Sequence, residues 1–296
     1  MSEPSIDSDT LVAVRSLFEL KNWEVDETVY TDPTQFNRFC ETLTRLSADE
    51  KEFLIWHTLH YNDYPWLYVQ NAVVELIRSL AWKREAHDGV TIFPVIDPTP
   101  QRGKGASQAK VKSGPLLTNF LSGNRRELAF RNLDPLNFPE RLDDYLSYHR
   151  ERPRSRTIII DDYAGSGDSI YNFLQFLRRE CPDLLTDGRC CIITPVAHDM
   201  AIARLKAEPS VLHLFKTSST YSISNNSAYS DSKARYLSLM QSMGTKVRCP
   251  SDYQLGYKGC EDVVTIMDRT PNNTLGIYWF ETRTNNAPFP RKKKPR

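Results

Sequence analysis

Residues 157–170 read Thr157-Ile158-Ile159-Ile160-Asp161-Asp162-Tyr163-Ala164-Gly165-Ser166-Gly167-Asp168-Ser169-Ile170. Thr157 to Ile160 is a short continuous run of the kind found in a parallel strand buried on both faces. It ends in two acids and a tight Gly/Ser loop. Ile170, Phe173, Leu174 and Leu177 then fall on one face of an amphipathic helix that Cys181-Pro182 stops. Strand, glycine loop and helix in this order make an anion site, because a helix start offers unpaired N–H groups and a partial positive charge. Gly165 and Gly167 let backbone approach an anion closely, and Ser166 and Ser169 add hydroxyl donors. Asp161 and Asp162 stand at the carboxyl end of the strand, where open parallel sheets take ligands. Paired carboxylates accept hydrogen bonds from paired hydroxyls, as on a ribose, and can hold magnesium through water. Together these features describe a pocket for a ribose 5-phosphate.

The pattern around this unit continues it. Cys191 to Val196 reads as a second strand, with Asp199 as cap of a helix through Leu205, and Val211 to Phe215 as a third strand. Upstream, Thr91 to Ile96 reads as a strand leading into a basic loop with Arg102, Lys104, Lys110 and Lys112. Helices are expected around Leu116–Leu121 and Leu142–Tyr148. Alternating strands and helices predict an α/β core with a mainly parallel sheet. Tyr236, Leu237 and Met240 mark a later helix that Gly244 would stop, and Val263–Met267 and Ile277–Phe280 read as closing strands. The first 88 residues read as helices. Asp32-Pro33 looks like a cap with proline at the first helical position, and Ser47 with Glu50 makes a capping box. The expected division is therefore a helical N-terminal domain over 1–88, an α/β domain over 89–285 and a basic disordered tail over 286–296.

The 296 residues carry 38 Lys plus Arg against 37 Asp plus Glu, a net charge of +1. That balance argues against a dedicated polyanion binder while leaving room for a local basic site. No apolar run reaches the ~20 residues of a membrane helix, and the polar, acidic start is no secretory signal. Six cysteines without C-x-x-C or zinc spacing read as reduced thiols, so a cytoplasmic protein without a membrane partner is expected.

TIIIDDYAGSGDSI resembles the phosphoribosyl-pyrophosphate motif of type I phosphoribosyltransferases. The resemblance implies that Asp161 and Asp162 lie against the ribose hydroxyls as the catalytic pair. Ala164, Gly165, Ser166, Gly167, Asp168 and Ser169 would wrap the 5-phosphate. Asp168 departs from the pattern, which has a small uncharged residue there, so either its carboxylate points away from a bound phosphate or the ligand is not the usual one. Lys112-Ser113-Gly114 upstream and Thr270-Pro271-Asn272-Asn273-Thr274 followed by Trp279 downstream resemble one branch of this fold. That branch comprises the phosphoribosyltransferase-like effectors of prokaryotic conflict and antiphage systems, some encoded in retrons. It implies a pyrophosphate loop of Arg102, Lys104, Lys112, Ser113 and Gly114, and magnesium carried with the pyrophosphate. No direct protein ligand to the metal is assigned. It also implies phosphoribosyl pyrophosphate or a nucleotide-like small molecule as ligand, and a reverse transcriptase with RNA and DNA as partner. The N-terminal helices would then be a winged-helix or docking module.

Tyr163, Asn272 and Asn273 are candidates for an acceptor pocket, but Asn272-Asn273 reads first as a turn and Tyr163 equally as packing. Asp161-Asp162 could merely cap the turn, and the basic loop could be a solvated surface. Three functions fit these residues. One is transfer or cleavage of a ribosyl group, and a second is a nucleotide-sensing module without chemistry. The third is a methyltransferase using S-adenosylmethionine, which Asp161 with Tyr163–Gly167 also resembles. That last reading lacks the aromatic of a catalytic Asp-Pro-Pro-aromatic segment at Asp97-Pro98-Thr99-Pro100.

Overall fold

The computed structural model describes residues 6–26, 33–83, 86–97, 110–111, 114–128, 130–186, 188–219, 222–283 and 285–291. The chain divides into two compact units, one of residues 66–219 and one that joins 1–65 to 220–296. This differs from the division expected at residue 88. Trp66–Arg78 is a helix of the first of these units, and residues 220–285, expected in the α/β domain, pack with the N-terminal helices.

The 66–219 unit is an α/β fold with a parallel sheet, as its strand pattern predicts. Five strands lie in the order Val211–Leu214, Cys190–Ile193, Arg156–Ile160, Val90–Pro94, Leu136–Asn137, every pair parallel. Val90–Pro94 and Cys190–Ile193 are buried along their whole length, which is why they lack polar alternation. On one face Phe93, Ile159 and Ile192 pack against Tyr145 from the Leu142–Glu151 helix and Phe173, Leu174 and Leu177 from the Asp168–Glu180 helix. Each such side chain contributes roughly 1.5–3 kcal/mol by leaving water. Beneath the strands, buried His149 joins Thr91 Oγ1 (2.7 Å) to Ser155 Oγ (2.7 Å).

Three of the strands break for two residues and resume. Tyr163–Ala164, Val196–His198 and Thr217–Ser219 form a second parallel sheet beyond Asp161-Asp162, Thr194-Pro195 and Phe215-Lys216. Ile160 pairs with Ile193 and Tyr163 with Val196, while Ile193 pairs with Leu214 and Val196 with Thr217, so register is unchanged across the break. At the break, the Lys216 and Thr217 amides both donate to Pro195 O, each at 3.0 Å. The expected strand Cys191–Val196 is thus two strands, because Pro195 has no N–H with which to continue a ladder.

The 1–65/220–296 unit packs the helices Ser8–Leu20, Gln35–Leu43, Ala48–Thr58 and Lys233–Lys246 around an aromatic core that includes Phe18, Phe36, Phe39, Phe53, Tyr61 and Tyr278. A parallel pair, Asn62–Tyr64 with Val264–Ile266, joins its N- and C-terminal parts. The capping box is present, Ser47 N donating to Glu50 Oε2 at 2.8 Å. Several expectations change. The cap of the second helix is Thr34, whose Oγ1 accepts from Asn37 N at 3.2 Å, and Asp32 lies outside the described residues. Gly244 sits inside the Lys233–Lys246 helix, where its bare backbone makes room for Gln254. Ile277–Phe280 is not a strand: Gly276–Trp279 is a helical turn, with Phe280 N donating to Gly276 O at 2.9 Å. The start of the expected disordered tail is packed, because Ala287 and Phe289 are buried and Phe289 stacks on Tyr61 at 4.2 Å. Residues 292–296 lie outside the described residues.

Candidate functional site

The break in the three strands places Asp161 and Asp162 at the carboxyl end of the five-stranded sheet. Both are buried, at 5% and 8% exposure. Asp161 N donates to Ile193 O at 3.1 Å, so the backbone is still in the ladder, and Asp162 N turns to Asp161 Oδ1 at 3.1 Å. Tyr163 and Ala164 then re-enter a strand, with Ala164 facing the cluster that holds Ile170, Phe173 and Ala201. Buried Gly165 and half-buried Ser166 make the turn.

Gly167 caps the Asp168–Glu180 helix in the left-handed conformation, φ 75°, which an L side chain adopts only with strain. A Cβ there would also stand 3.1 Å from Ala201 Cα. Tyr171 N donates to Gly167 O at 2.9 Å, closing the first helical turn, and Asp168 N donates to Ser166 Oγ at 3.4 Å. The loop is therefore pressed against the Asp199–Leu205 helix and delivers its end to a helix N-terminus. Asp168 does point aside: its carboxylate forms an ion pair with Arg204, whose guanidinium lies 4.4 Å from the Tyr171 ring centre.

Asp161 to Ser169 thus form one continuous strand end, loop and helix start. Gly114 joins them. It is the buried first residue of the Gly114–Gly123 helix, and a Cβ on it would meet Ile160 O at 2.9 Å and Pro94 Cβ at 2.8 Å. Only a glycine lets that helix start so close to the carbonyl that precedes Asp161. Arg102, Lys104, Lys112 and Ser113 lie outside the described residues. Asn272 and Asn273 belong to the other unit and form the expected turn. Asn272 O accepts from Tyr257 N at 2.7 Å, and Asn273 Nδ2 donates to Cys260 Sγ at 3.1 Å. Tyr163 is 9% exposed in its strand. All six cysteines are free thiols.

Two residues beside the loop were not singled out from the sequence. Arg204 lies 36 residues beyond Asp168, and no motif announces it. His198 is buried at 1% exposure. Its Nδ1 accepts from Met200 N at 3.1 Å, so His198 and not Asp199 caps the Asp199–Leu205 helix. That bond leaves the proton of the neutral ring on Nε2. Asp199 is used differently, accepting from Ser218 Oγ at 2.8 Å. Nearby His213 meets Thr194 Oγ1 at 2.8 Å, and burial holds its pKa down to about 4, so it is neutral at pH 7.

Among the described residues no group of three or more His, Cys, Asp or Glu gathers as a metal cage. Two adjacent carboxylates fit a magnesium ion that takes most of its oxygens from a phosphate ligand and water. No helix among the described residues is long and apolar enough to cross a membrane.

A family model described as PRTase-CE matches residues 34–291, which reach into both units. Solved structures similar to the chain include orotate phosphoribosyltransferase from Aeropyrum pernix. It is 16% identical, with 52% of this chain and 70% of that chain covered and a TM-score of 0.29, a likeness too slight to carry an argument. No curated protein matches the chain.

Proposed function

The chain belongs to the PRTase-CE family, and from that premise we propose that its phosphoribosyltransferase-like unit binds a ribose 5-phosphate or nucleotide ligand and transfers or cleaves off the ribosyl group. The observation that carries this reading is the buried Asp161-Asp162 pair set directly before a glycine-started helix at the carboxyl end of the parallel sheet. In it, the two carboxylates accept hydrogen bonds from the ribose hydroxyls and fix the sugar ring. Their negative charge also favours the positive character that develops at C1 as the bond to the leaving group breaks. The Gly165–Ser169 backbone takes the 5-phosphate at the helix N-terminus. Asp161 and Asp162 would hold magnesium through water, and the ion supplies neutralisation of the pyrophosphate leaving group. The incoming group is a base, a nucleotide or water.

The resemblance of Lys112-Ser113-Gly114 and Thr270–Thr274 to antiphage effectors supports a defence role for this activity, with a reverse transcriptase and its RNA–DNA product as the partner. The decisive test is mass spectrometry of small molecules that co-purify with the protein, beside the Asp161→Ala/Asp162→Ala variant. A sugar phosphate or nucleotide bound to the native protein and lost from the folded variant is the expected result. The same ligand retained by the variant would sink the reading.

A further inference from the structure

An acid at the first position of a phosphate-binding helix is a contradiction unless something answers its charge. Asp168 occupies that position, with only the loop Gly165–Gly167 before it. Its answer is Arg204 from the neighbouring Asp199–Leu205 helix, which is itself held from two sides. Its guanidinium lies over the Tyr171 ring, and its helix is fixed to the loop by the close seat of Gly167 on Ala201. The side chains of Asp168 and Arg204 are 18% and 34% exposed, so their charges are only partly screened by water. Tyr171 is one helical turn beyond Gly167, so the same element presents both the amides and the ring that steadies the cation.

We propose that Arg204 is a positioning residue for the phosphate of the ligand: it neutralises Asp168 and turns it aside, so that the Gly165–Ser169 loop accepts a doubly charged phosphate monoester. This inference rests on the proposed function and adds a charge requirement to it. Arg204 acts through Asp168 and does not touch the phosphate. Without Arg204 the Asp168 carboxylate faces the ligand as a like charge. Without both, the loop is uncharged, as a small neutral residue in that position would leave it.

The test is a four-way binding comparison by titration calorimetry with phosphoribosyl pyrophosphate and ribose 5-phosphate, at low and high salt. The proteins are the full chain, Arg204→Gln, Asp168→Asn and the double variant, each also melted to record stability. Arg204→Gln is expected to weaken both ligands about tenfold, with the loss shrinking at high salt as a like-charge repulsion must. Asp168→Asn is expected to bind at least as tightly as the native chain. The double variant is expected to recover to within about threefold of it, a rescue that loss of folding could not produce. A double variant as weak as Arg204→Gln would overturn the inference, since it would mean that Arg204 holds the phosphate itself. So would Arg204→Gln that binds as the native chain does. If the native chain binds neither ligand, the proposed function falls first and the inference with it.

Discussion

Each unit buries acids, and each treats them differently. In the 1–65/220–296 unit Glu50, at 2% exposure, is bound by Ser47 of its own helix cap and by Ser242 and Lys246 of the Lys233–Lys246 helix, about 190 residues away in sequence. Burial pushes its pKa up, but Lys246, the Ser47 amide and the two serine hydroxyls together hold the carboxyl below its usual range. His57 nearby is tied to Tyr278 Oη at 2.9 Å, and Thr58 Oγ1 to the same oxygen at 3.0 Å. These bonds cross between distant elements and hold helices together. In the 161–171 segment, beside the ladder bond of Asp161 N to Ile193 O and the pairing of Asp168 with Arg204, several bonds are short-range: Asp162 N to Asp161, Asp168 N to Ser166, Tyr171 N to Gly167. They shape the loop that leads into the Asp168–Glu180 helix. The difference teaches that burial alone does not mark a functional acid. The two regions differ in reach: the bonds of Glu50 tie segments about 190 residues apart, whereas several of those at 161–171 set a local turn at a helix start.

That contrast can be broken by separating stability from binding. The largest effect is expected from Asp161→Ala/Asp162→Ala. Calorimetry should show ligand affinity falling at least about a hundredfold, two charge-assisted bonds to hydroxyls having gone. The melting temperature should stay within a few degrees of native; a collapse of folding would put these acids in the same class as Glu50. Glu50→Ala should do the reverse, lowering stability in urea by about 1–3 kcal/mol by removing the acceptor of the Ser47 amide and of the Ser47 and Ser242 hydroxyls, while ligand affinity holds.

A pH titration sharpens the comparison next. Burial pushes His149 down to about 4 from a model-peptide value of 6.5, so its neutral form is favoured by folding. The stability this gives is present above about pH 6.5 and is lost as pH falls toward 4, to a total of up to about 3 kcal/mol. Denaturation of His149→Gln across that window should show a shallower decline than the native chain; an equal slope would exclude His149 as a source.

Two glycines give the smaller effects. Gly167→Ala forces a left-handed φ on an L residue and a Cβ against Ala201 backbone, so it should destabilise by about 1–2 kcal/mol and weaken ligand binding as well. Gly244→Ala brings a Cβ to 2.7 Å from Gln254 Cγ and 3.0 Å from its Cβ, so that side chain must shift, while the helix gains propensity. Its stability should change by less than about 1 kcal/mol with no change in binding, and a loss as large as that at Gly167 would erase the distinction.

The strand, loop and helix start of residues 157–170 were more legible than the packing around them. Hydrophobic continuity at Thr157–Ile160, the acid pair and the glycine loop are local features, and local chemistry alone sets their strand, bend and helix start. The Ser47–Glu50 box was legible for the same reason, since its bonds span three residues. Ile277–Phe280 was misread because four apolar residues in a row suit a strand or a buried helical turn equally, and the choice fell to Gly276, where a Cβ would stand 2.4 Å from Cys249 Sγ. Gly244 was misread as a stop because its use is to admit Gln254, a contact with no trace in helical spacing. Ala287 and Phe289 were hidden by the lysines that follow them.

From the residues alone came the parallel α/β core and the buried strand that ends in Asp161-Asp162, because each follows from forces acting within a few residues. Which residue turns Asp168 aside, which glycine lets a helix meet Ile160, and how both chain ends come to share one core were decided only in three dimensions. Those are pairings between segments tens to hundreds of residues apart. Many partners satisfy such a pairing equally in the sequence, and the packing of the folded chain selects among them.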